Sequence, residues 1–491
     1  MSTISDAIQN TLKEELAPGI QDALWELDPV YPNIVRSSQQ VVRNEGIGRG
    51  HKIIKIYGVG VAGGAKFGAA GGGNVLSGPN NFTAYDTPLT FQSLSETTAP
   101  TQFILTTNLI SHTGNFFLPR QIFRTDQYAS SVGSVVAQNL KGVSTLVGQQ
   151  EAAVFYSEDA YRALGDLGDT SATVANGSDT SSMTVNLGGT SASGRVLRFL
   201  HGMLVDLWSS DGATHRNPDF LVAIDDVDPL SNTITLRRLD GGSFQTSTTL
   251  NSGVTYAGAG GDNDILVIKD SLSQGPINLN SWIKNSGTLF NDVPLATRSM
   301  FKSYIKTGIG AALTEGQLNM RYYKFFESYP GKKLPHAITT MGVLMGLIDN
   351  IDAEALSATG NFPFSRWDRN GEALDVNLGF DGFKYRFAGK SVTVYTSTYC
   401  EPGYWYGLNL SKGNLKRYVP PALPGAQGDS RIGNEVEFIA PWGGSNSIFM
   451  PALFGDRATD FVQAPFIREF QILPDDPVSM KLSGITELTV T

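Results

Sequence analysis

The chain has 491 residues, 41% of them hydrophobic, and this length suggests about two to four structural units with a sizeable core. Its formal net charge of −9 argues against broad phosphate-driven binding of nucleic acid, because such binding needs clustered lysine and arginine. Cys400 is the only cysteine, the N-terminus lacks the features of a secretory signal and no apolar run approaches a membrane span, so we expect a cytoplasmic protein without disulfides.

The first predicted element is an amphipathic N-terminal arm within residues 1–50. Apolar side chains recur at helical spacing on both sides of a break at Pro18 and Gly19. These positions are Ile4, Ile8, Leu12, Leu16, Ile20, Leu24 and Leu27. Such a stripe needs a covering surface, which belongs either to another subunit or to the arm's own domain.

A long hairpin with a glycine-rich tip is predicted over residues 51–118. Residues 51–59 alternate as a strand, and return strands are expected at 82–85 and 101–110. Residues 58–63 match a dinucleotide-binding fingerprint, but that fingerprint requires a helix to begin at the glycines. Five further glycines between residues 64 and 73 are incompatible with a stable helix. We therefore predict no cofactor here, and a hairpin too long to bury itself.

A single long helix is predicted over residues 125–150. Its apolar positions recur every three or four residues and are Tyr128, Val132, Val135, Val136, Leu140, Val143, Leu146 and Val147. At about 1.5 Å per residue the helix would reach roughly 35–40 Å. A short strand at 152–156 and a polar surface loop over 165–194 are expected to follow it.

A β-rich module is predicted over residues 195–275. Its strands alternate or run apolar between turn residues, at 203–208, 220–224, 233–236 and 265–268. Residues 225–229 form a predicted turn that brings Asp225, Asp226 and Asp228 together. The turn lacks the glycine and terminal glutamate of an EF-hand, so a solvated hairpin turn is favoured over a calcium site.

From residue 314 the pattern changes to helices and short strands. Thr314 and Gln317 predict a capping box at the start of a helix. The expected buried face of that helix carries Leu318, Tyr322, Phe325, Phe326 and Tyr329. An apolar segment at 336–340, a second helix at 341–351 and paired strands at 382–387 and 391–397 come next, and 470–491 predicts one or two closing strands.

No catalytic or metal-binding constellation is visible. The five histidines do not stand at metal-ligand spacing, and Cys400, at the end of a strand, is expected to be a small buried residue. Asp349, Asp352 and Glu354 follow the second helix and predict a solvated helix end. We therefore predict a structural protein that is not an enzyme, with no catalytic residue, cofactor or metal.

Two adjacent stretches carry a family resemblance. Residues 383–392, FKYRFAGKSV, read as a strand and a turn, and residues 400–408, CEPGYWYGL, read as the return. With the order of arm, hairpin, long helix, β-rich module and α/β module, the chain resembles the major capsid proteins of tailed bacteriophages, which have the Hong Kong 97-like fold.

This resemblance implies an α+β fold divided into an N-terminal arm (1–50), an extended hairpin loop (51–118), a peripheral domain (119–310), an axial domain (311–470) and a C-terminal return strand (471–491). The helix at 125–150 would be the spine of the peripheral domain, and the β-rich module at 195–275 would be an addition to the minimal pattern. The axial domain would surround the symmetry axes of pentamers and hexamers.

The function implied by the resemblance is an icosahedral shell enclosing double-stranded phage DNA without sequence-specific binding. The chain would assemble with copies of itself in the cytoplasm of a bacterial host, with portal, scaffolding and decoration proteins as further partners and no membrane. Implied contacts between subunits are Lys66, Phe67, Tyr404, Trp405 and Tyr406. Lys66 also lies where some members of the family form a lysine–asparagine crosslink.

Three alternatives stay open at this stage. An encapsulin-like compartment would share the fold and hold protein cargo. A tail or fibre structural protein would explain the glycine, serine and threonine content but not the α/β module. A dinucleotide-binding enzyme would need the fingerprint at 58–63 to open a helix.

Overall fold

The computed structural model describes residues 30–42, 52–59, 101–108, 110–119, 146–157, 161–167, 181–187, 196–209, 211–242, 244, 264–290, 293–296, 299–359, 383–387, 390–419, 431–432, 436–438 and 461–487. The chain divides into two compact units, one of residues 52–108 and the other of residues 1–51 with 109–491. The arm residues 1–29 and the hairpin tip at 60–100 lie outside the described residues.

In chain order the elements are α1 (Val30–Ser37), β1 (Gln39–Val42), β2 (Lys52–Val59), β3 (Thr101–Asn108), β4 (Ile110–Pro119), α2 (residues 146–155), β5 (Gly165–Asp166), β6 (Ser182–Asn186), β7 (Leu204–Trp208), β8 (Val222–Asp228), β9 (Thr233–Arg238), β10 (Ile265–Ile268), α3 (Leu279–Trp282), β11 (Thr288–Leu289), β12 (Val293–Pro294), a 3₁₀ turn (Ser299–Phe301), β13 (Tyr304–Lys306), α4 (Glu315–Ser328), β14 (His336–Thr339), α5 (Met341–Thr359), β15 (Phe383–Phe387), β16 (Lys390–Thr396), β17 (Trp405–Leu408), β18 (Leu415–Val419), β19 (Arg431–Ile432), β20 (Val436–Phe438), β21 (Phe461–Pro474) and β22 (Met480–Leu482).

In its described residues, the smaller unit is a two-stranded antiparallel ribbon. Strands β2 and β3 pair antiparallel over eight residues each, from Lys52 opposite Asn108 to Val59 opposite Thr101. The fingerprint residues Gly58 and Val59 therefore lie in an antiparallel arm of a hairpin. A dinucleotide fold would instead need a helix leading to a parallel strand.

The long strand β21 organises one sheet of the larger unit. It pairs with β4 along residues 461–470 and with β18 near its end, while β1 runs parallel to β18. Strand β4 was expected to belong to the hairpin, and it pairs here with β21 instead. The C-terminal return consequently begins with a single strand that spans residues 461–474.

The second sheet, which we call the β-module, has the order β5-β10-β7-β8-β9-β6. Strands β7 to β10 follow the sequence prediction, and Ile265–Ile268 agrees in both limits. The predicted surface loop over 165–194 is wrong in part, because it contributes β5 and β6 to the two edges of this sheet. In β6, Met183 and Val185 are buried by the alternation that a half-buried strand requires.

The predicted strand at 152–156 is also wrong. Residues 146–155 are helical, so the helix continues past residue 150, and the backbone N–H of Tyr156 donates to the carbonyl of Ala152 at 3.1 Å. Every side chain from Glu151 to Ser157 is buried, which removes the periodicity that would have marked a helix. Residues 125–145 lie outside the described part of the chain, and the spine helix there stays a prediction.

The third sheet has the order β13-β22-β17-β14-β16-β15 and forms, with α4 and α5, what we call the α/β module. Both helices pack on one face of it, where Ala337, Val392, Val394 and Trp405 meet a shared core. The predicted capping box is confirmed: the Thr314 hydroxyl accepts from the Gln317 N–H at 3.2 Å, and the Gln317 side chain accepts from the Thr314 N–H at 3.4 Å.

In the α/β module, the end of helix α5 differs from the prediction, and Gly403 explains a close approach between two segments. Helix α5 continues to Thr359, so Asp349, Asp352 and Glu354 lie within a helix and not beyond its end. Gly403, with φ at +71°, precedes β17 where an added Cβ would lie 2.7 Å from the carbonyl oxygen of Ile485. Only glycine allows this close approach of the C-terminal segment.

Candidate assembly surfaces

The β2–β3 ribbon is the clearest candidate for contact with another chain. Its two strands form a sheet of their own, and in the described residues neither has a second partner strand. A two-stranded ribbon is marginal by itself in water, because its outer edges carry unpaired backbone N–H and C=O groups. The ribbon can gain both backbone hydrogen bonds and apolar contacts by lying against another surface.

Of the predicted inter-subunit contacts, Lys66 and Phe67 lie outside the described residues. The aromatic trio is described, and it divides into two roles. Trp405 and Tyr406 are fully enclosed by their own chain, so in this fold they are core residues. Tyr404 alone keeps exposed surface, with its ring stacked on Tyr406 at 5.8 Å and the Lys481 ammonium 5.1 Å from its centroid.

Trp405 anchors the shared core to helix α4. Its indole N–H donates to the Tyr322 hydroxyl at 3.3 Å, a hydrogen bond that joins β17 to the buried face of the helix. Burial raises the pKa of Tyr322 far above its ordinary value, so its hydroxyl stays protonated. The pair therefore acts as a neutral buried hydrogen bond at the centre of the module.

A buried arginine joins the β-module to the α/β module. Arg198 lies just before β7, and Glu401 lies before β17, 203 residues further along the chain. The guanidinium donates to a Glu401 carboxylate oxygen at 2.8 Å, and both side chains are almost completely buried. Such a charge-assisted pair holds two elements in one relative position.

The same guanidinium also satisfies three backbone carbonyls. It donates to Tyr399 at 2.8 Å and 3.1 Å, to Leu164 at 3.2 Å and to Tyr156 at 3.4 Å. Arg198 thus contacts the end of α2, the start of β5 and the turn that leads into β17. The sequence gives no local signal for this joint, because the partners are far apart in the chain.

A second polar cluster ties the N-terminal segment to α2. His112 of β4 lies 3.0 Å from the Gln150 amide oxygen and 3.3 Å from the Glu151 carboxylate. The Tyr31 hydroxyl of α1 donates to the other carboxylate oxygen of Glu151 at 3.4 Å. Because β4, α1 and α2 meet at these side chains, we assign the cluster a structural role.

Among the residues that the structure describes, no group of three His, Cys, Asp or Glu side chains could hold a metal ion. Asp225, Asp226 and Asp228 lie in β8, beside a bulge, and not in the turn that was predicted. Hydrogen bonds from Ser231 and Leu230 lower the pKa of Asp228. Cys400 is buried, as predicted.

His336 gives the α/β module a pH dependence. Its Nδ1 accepts the backbone N–H of Leu410 at 3.1 Å, and burial lowers its pKa below the ordinary value of 6.5. The contribution to stability is present above pH 6.5 and is lost as the pH falls through the folded-state pKa, because the unfolded chain binds the proton more readily.

We expect the free energy of unfolding, measured by urea titration, to fall from pH 7 to pH 5, and this group should contribute a slope of at most about 1.4 kcal/mol per pH unit. His336→Asn keeps an acceptor near the Nδ1 position and does not titrate, so it should remove this part of the slope. An unchanged slope in the variant would contradict the assignment to His336.

None of the helices in the described ranges combines the length and apolar content that crossing a bilayer requires. No family model and no curated protein matches the chain.

Several solved structures are similar to the chain. The capsid asymmetric unit of Cyanophage A-1(L) matches at 14% identity over 93% of each chain, with a TM-score of 0.37. The capsid of Myoviridae Phage XM1 matches at 9% identity over 92% of this chain and 91% of its own, with a TM-score of 0.33. The SrpI encapsulin of Synechococcus elongatus PCC 7942 matches at 13% identity over 41% of this chain and 59% of its own, with a TM-score of 0.22.

Two of these neighbours are phage capsids, the class that the sequence resembles. The third is an encapsulin, the first alternative named above. Each of the three TM-scores is below 0.5, so the likeness does not by itself establish a shared fold.

Proposed function

We propose that this chain is a major capsid protein of a tailed bacteriophage with a Hong Kong 97-like α+β fold. Copies of the chain associate into pentamers and hexamers, and these close into an icosahedral shell in the cytoplasm of a bacterial host. The shell encloses double-stranded DNA without reading its sequence. The role is structural, and the location of the finished protein is the virion capsid.

The observation that carries this proposal is the separate β2–β3 ribbon. Its two strands of eight residues pair only with each other in the described part of the chain, and they belong to a compact unit separate from the rest. A chain that folds a marginal ribbon in this way stabilises it by laying it across a neighbour. Repeated in every subunit, this exchange gives shell stability from individually modest contacts.

The same proposal assigns a role in the shell to each part of the chain. The ribbon at 52–108 serves as the extended loop, the α/β module as the axial domain, and α2 with the β-module as the peripheral domain. Lys66 and Phe67 at the hairpin tip and Tyr404 of the axial domain are the proposed contacts between subunits. Portal, scaffolding and decoration proteins are further proposed partners. A covalent crosslink at Lys66 can be tested on a denaturing gel: if the assembled protein migrates only as monomer, the crosslink is excluded.

The first test is negative-stain electron microscopy of the purified full-length chain across a range of salt and protein concentrations. Closed icosahedral shells are the expected result. Dispersed monomers under every condition would contradict self-assembly. Shells that enclose a defined protein cargo would favour the encapsulin alternative instead.

A variant with a shortened hairpin tests whether the hairpin is needed for assembly. Val59 and Thr101 are cross-strand partners, so residues 60–100 can be replaced by Asn-Gly, the dipeptide preferred in two-residue hairpin turns. The larger unit should keep its circular dichroism, because the replaced residues belong to the other unit, and the Asn-Gly turn should keep β2 and β3 paired. We expect this variant to form no closed shells; closed shells of normal size would contradict the role given to the hairpin.

A further inference from the structure

The residues that follow β22 form neither a helix nor a strand, but they contact two other parts of the α/β module. We call residues 483–487 the closing segment. Ile485 is buried in the core shared by α4, α5 and the sheet, whereas its neighbours Gly484 and Thr486 are exposed. The segment is therefore held by one inward apolar side chain and by the polar contacts on either side of it.

On one side, the closing segment pairs with residues 306–311, the connector between β13 and α4. Four backbone hydrogen bonds of 2.7–3.2 Å join them: Ser483 N–H to Lys306, Ile309 N–H to Ser483, Gly310 N–H to Gly484 and Thr486 N–H to Ala311. A Cβ added at Gly484 would lie 3.1 Å from the Cα of Gly308, and these two residues have φ of +72° and +66°. The crossing thus favours glycine in both strands of chain.

On the other side, the closing segment contacts the turn before β17 and the start of α5. The N–H of Ile485 donates to the Gly403 carbonyl at 3.1 Å, and the N–H of Gly403 donates to a Glu487 carboxylate oxygen at 2.9 Å. The Thr340 hydroxyl donates to the same oxygen. Because Thr340 immediately precedes α5, Glu487 places a negative charge at the N-terminus of that helix, where the helix dipole favours it.

The closing segment is synthesised after every part that it contacts. Glu487 follows Gly403 by 84 residues and Thr340 by 147. At about 5–20 residues per second, synthesis of those 84 residues takes roughly 4–17 s. Until then the connector and the start of α5 lack these hydrogen bonds, and the shared core lacks Ile485.

We propose that docking of the closing segment is the last folding step of the α/β module and controls the entry of the chain into assembly. A chain with an undocked segment has an open connector and an incomplete module, and it stays out of the shell. This order keeps unfinished chains from being built in. The link to assembly rests on the proposed shell function, whereas the closure of the module does not.

The first test compares two substitutions at neighbouring positions of the full-length chain. Ile485→Asp places a charge in the core, whereas Thr486→Asp changes an exposed side chain and is the matched control. Lys306 of the connector is exposed, so trypsin cleavage after it, followed by mass spectrometry, reports on docking. We expect cleavage at least about tenfold faster in Ile485→Asp, because protection follows the population of the closed state. Thr486→Asp should be cleaved at the rate of the unaltered chain.

Glu487→Ala is a milder variant that leaves the core side chains in place. It removes only the carboxylate contacts with Gly403 and Thr340. We expect cleavage after Lys306 to be about tenfold faster, because hydrogen bonds to a charged group are lost, while sites in the β-module keep their rates. An unchanged rate at Lys306 in both variants, or equal acceleration at all sites in both, would overturn the role of the segment.

Mixed assembly tests the link to the shell. Each variant is mixed with an equal amount of unaltered chain, and sedimentation separates shells from free chains. We expect Glu487→Ala to be depleted from the shells and Thr486→Asp to enter in proportion. Proportional entry of both would overturn the control of assembly. If the unaltered chain forms no shells, the proposed shell function fails and the control of assembly with it, and the trypsin comparison still decides whether the segment closes the module.

Discussion

Replacing Arg198 by methionine should lower the free energy of unfolding by about 3–5 kcal/mol, the range for breaking a buried ion pair from one side. The substitution leaves the Glu401 carboxylate buried without its 2.8 Å partner. It also removes donors from the carbonyls of Tyr156, Leu164 and Tyr399. Urea unfolding of the dispersed chain, followed by far-ultraviolet circular dichroism, measures the change.

An exposed pair of the same kind provides the control. Arg237 lies 3.3 Å from Asp225, and the two side chains are 51% and 36% exposed, in contrast to the buried Arg198–Glu401 pair. Arg237→Met should therefore cost no more than about 1 kcal/mol. If Arg198→Met and Arg237→Met lowered the free energy of unfolding equally, the joint between the two modules would not depend on the buried arginine.

Removing both charges distinguishes the ion pair from the carbonyl contacts. An apolar replacement of both partners in a buried pair is often nearly neutral, because neither charge is then left alone. Here the three carbonyls would still lose their donor, so the double variant Arg198→Met with Glu401→Met should recover only part of the loss. Full recovery would mean that the guanidinium contributes through Glu401 alone.

Local sequence signals were sufficient for several elements. Thr314 and Gln317 predict the start of α4 because a capping box satisfies two backbone donors within four residues of chain. Residues 265–268 predict β10 because a short apolar run between turn residues fits a buried strand. In both cases the physical cause lies within the segment itself.

Other elements depend on contacts that are distant in sequence. Residues 152–156 form an apolar run that fits either a buried strand or a buried helix. They are helical here, and Phe155 packs against Tyr31 of α1 and Trp282 of α3. Helix α5 passes its acidic residues because Ala353, Ala355 and Ala358 favour its continuation. Strand β6 carries only two apolar residues, Met183 and Val185, and this short alternation becomes decisive through its pairing with β9.

The candidate contacts show the same limit. An aromatic cluster predicts an anchor, but composition alone does not say whether the anchor is inside the chain or between chains. Burial separates Trp405 and Tyr406 from Tyr404, although the three are consecutive. The Arg198–Glu401 joint becomes visible only when the elements are placed side by side.

The second large effect is expected at Trp405, where substitution by alanine should lower the free energy of unfolding by about 3–5 kcal/mol. The side chain is fully buried in the core shared by α4, α5 and the sheet, so its removal leaves a cavity and breaks the hydrogen bond to Tyr322. Trp405→Phe keeps most of the ring volume and should cost clearly less. Urea unfolding of the three chains gives the comparison.

Tyr404→Ala is the matched variant on the next residue. Its ring is partly exposed and contacts Tyr406 and Lys481, so we expect a loss of about 1 kcal/mol, typical of one aromatic contact. Assembly assays on the same proteins then separate core from interface. A Trp405→Ala chain that unfolds like the unaltered protein but fails to form shells would place Trp405 between subunits, and a Tyr404→Ala chain that is stable but assembles poorly would place Tyr404 there.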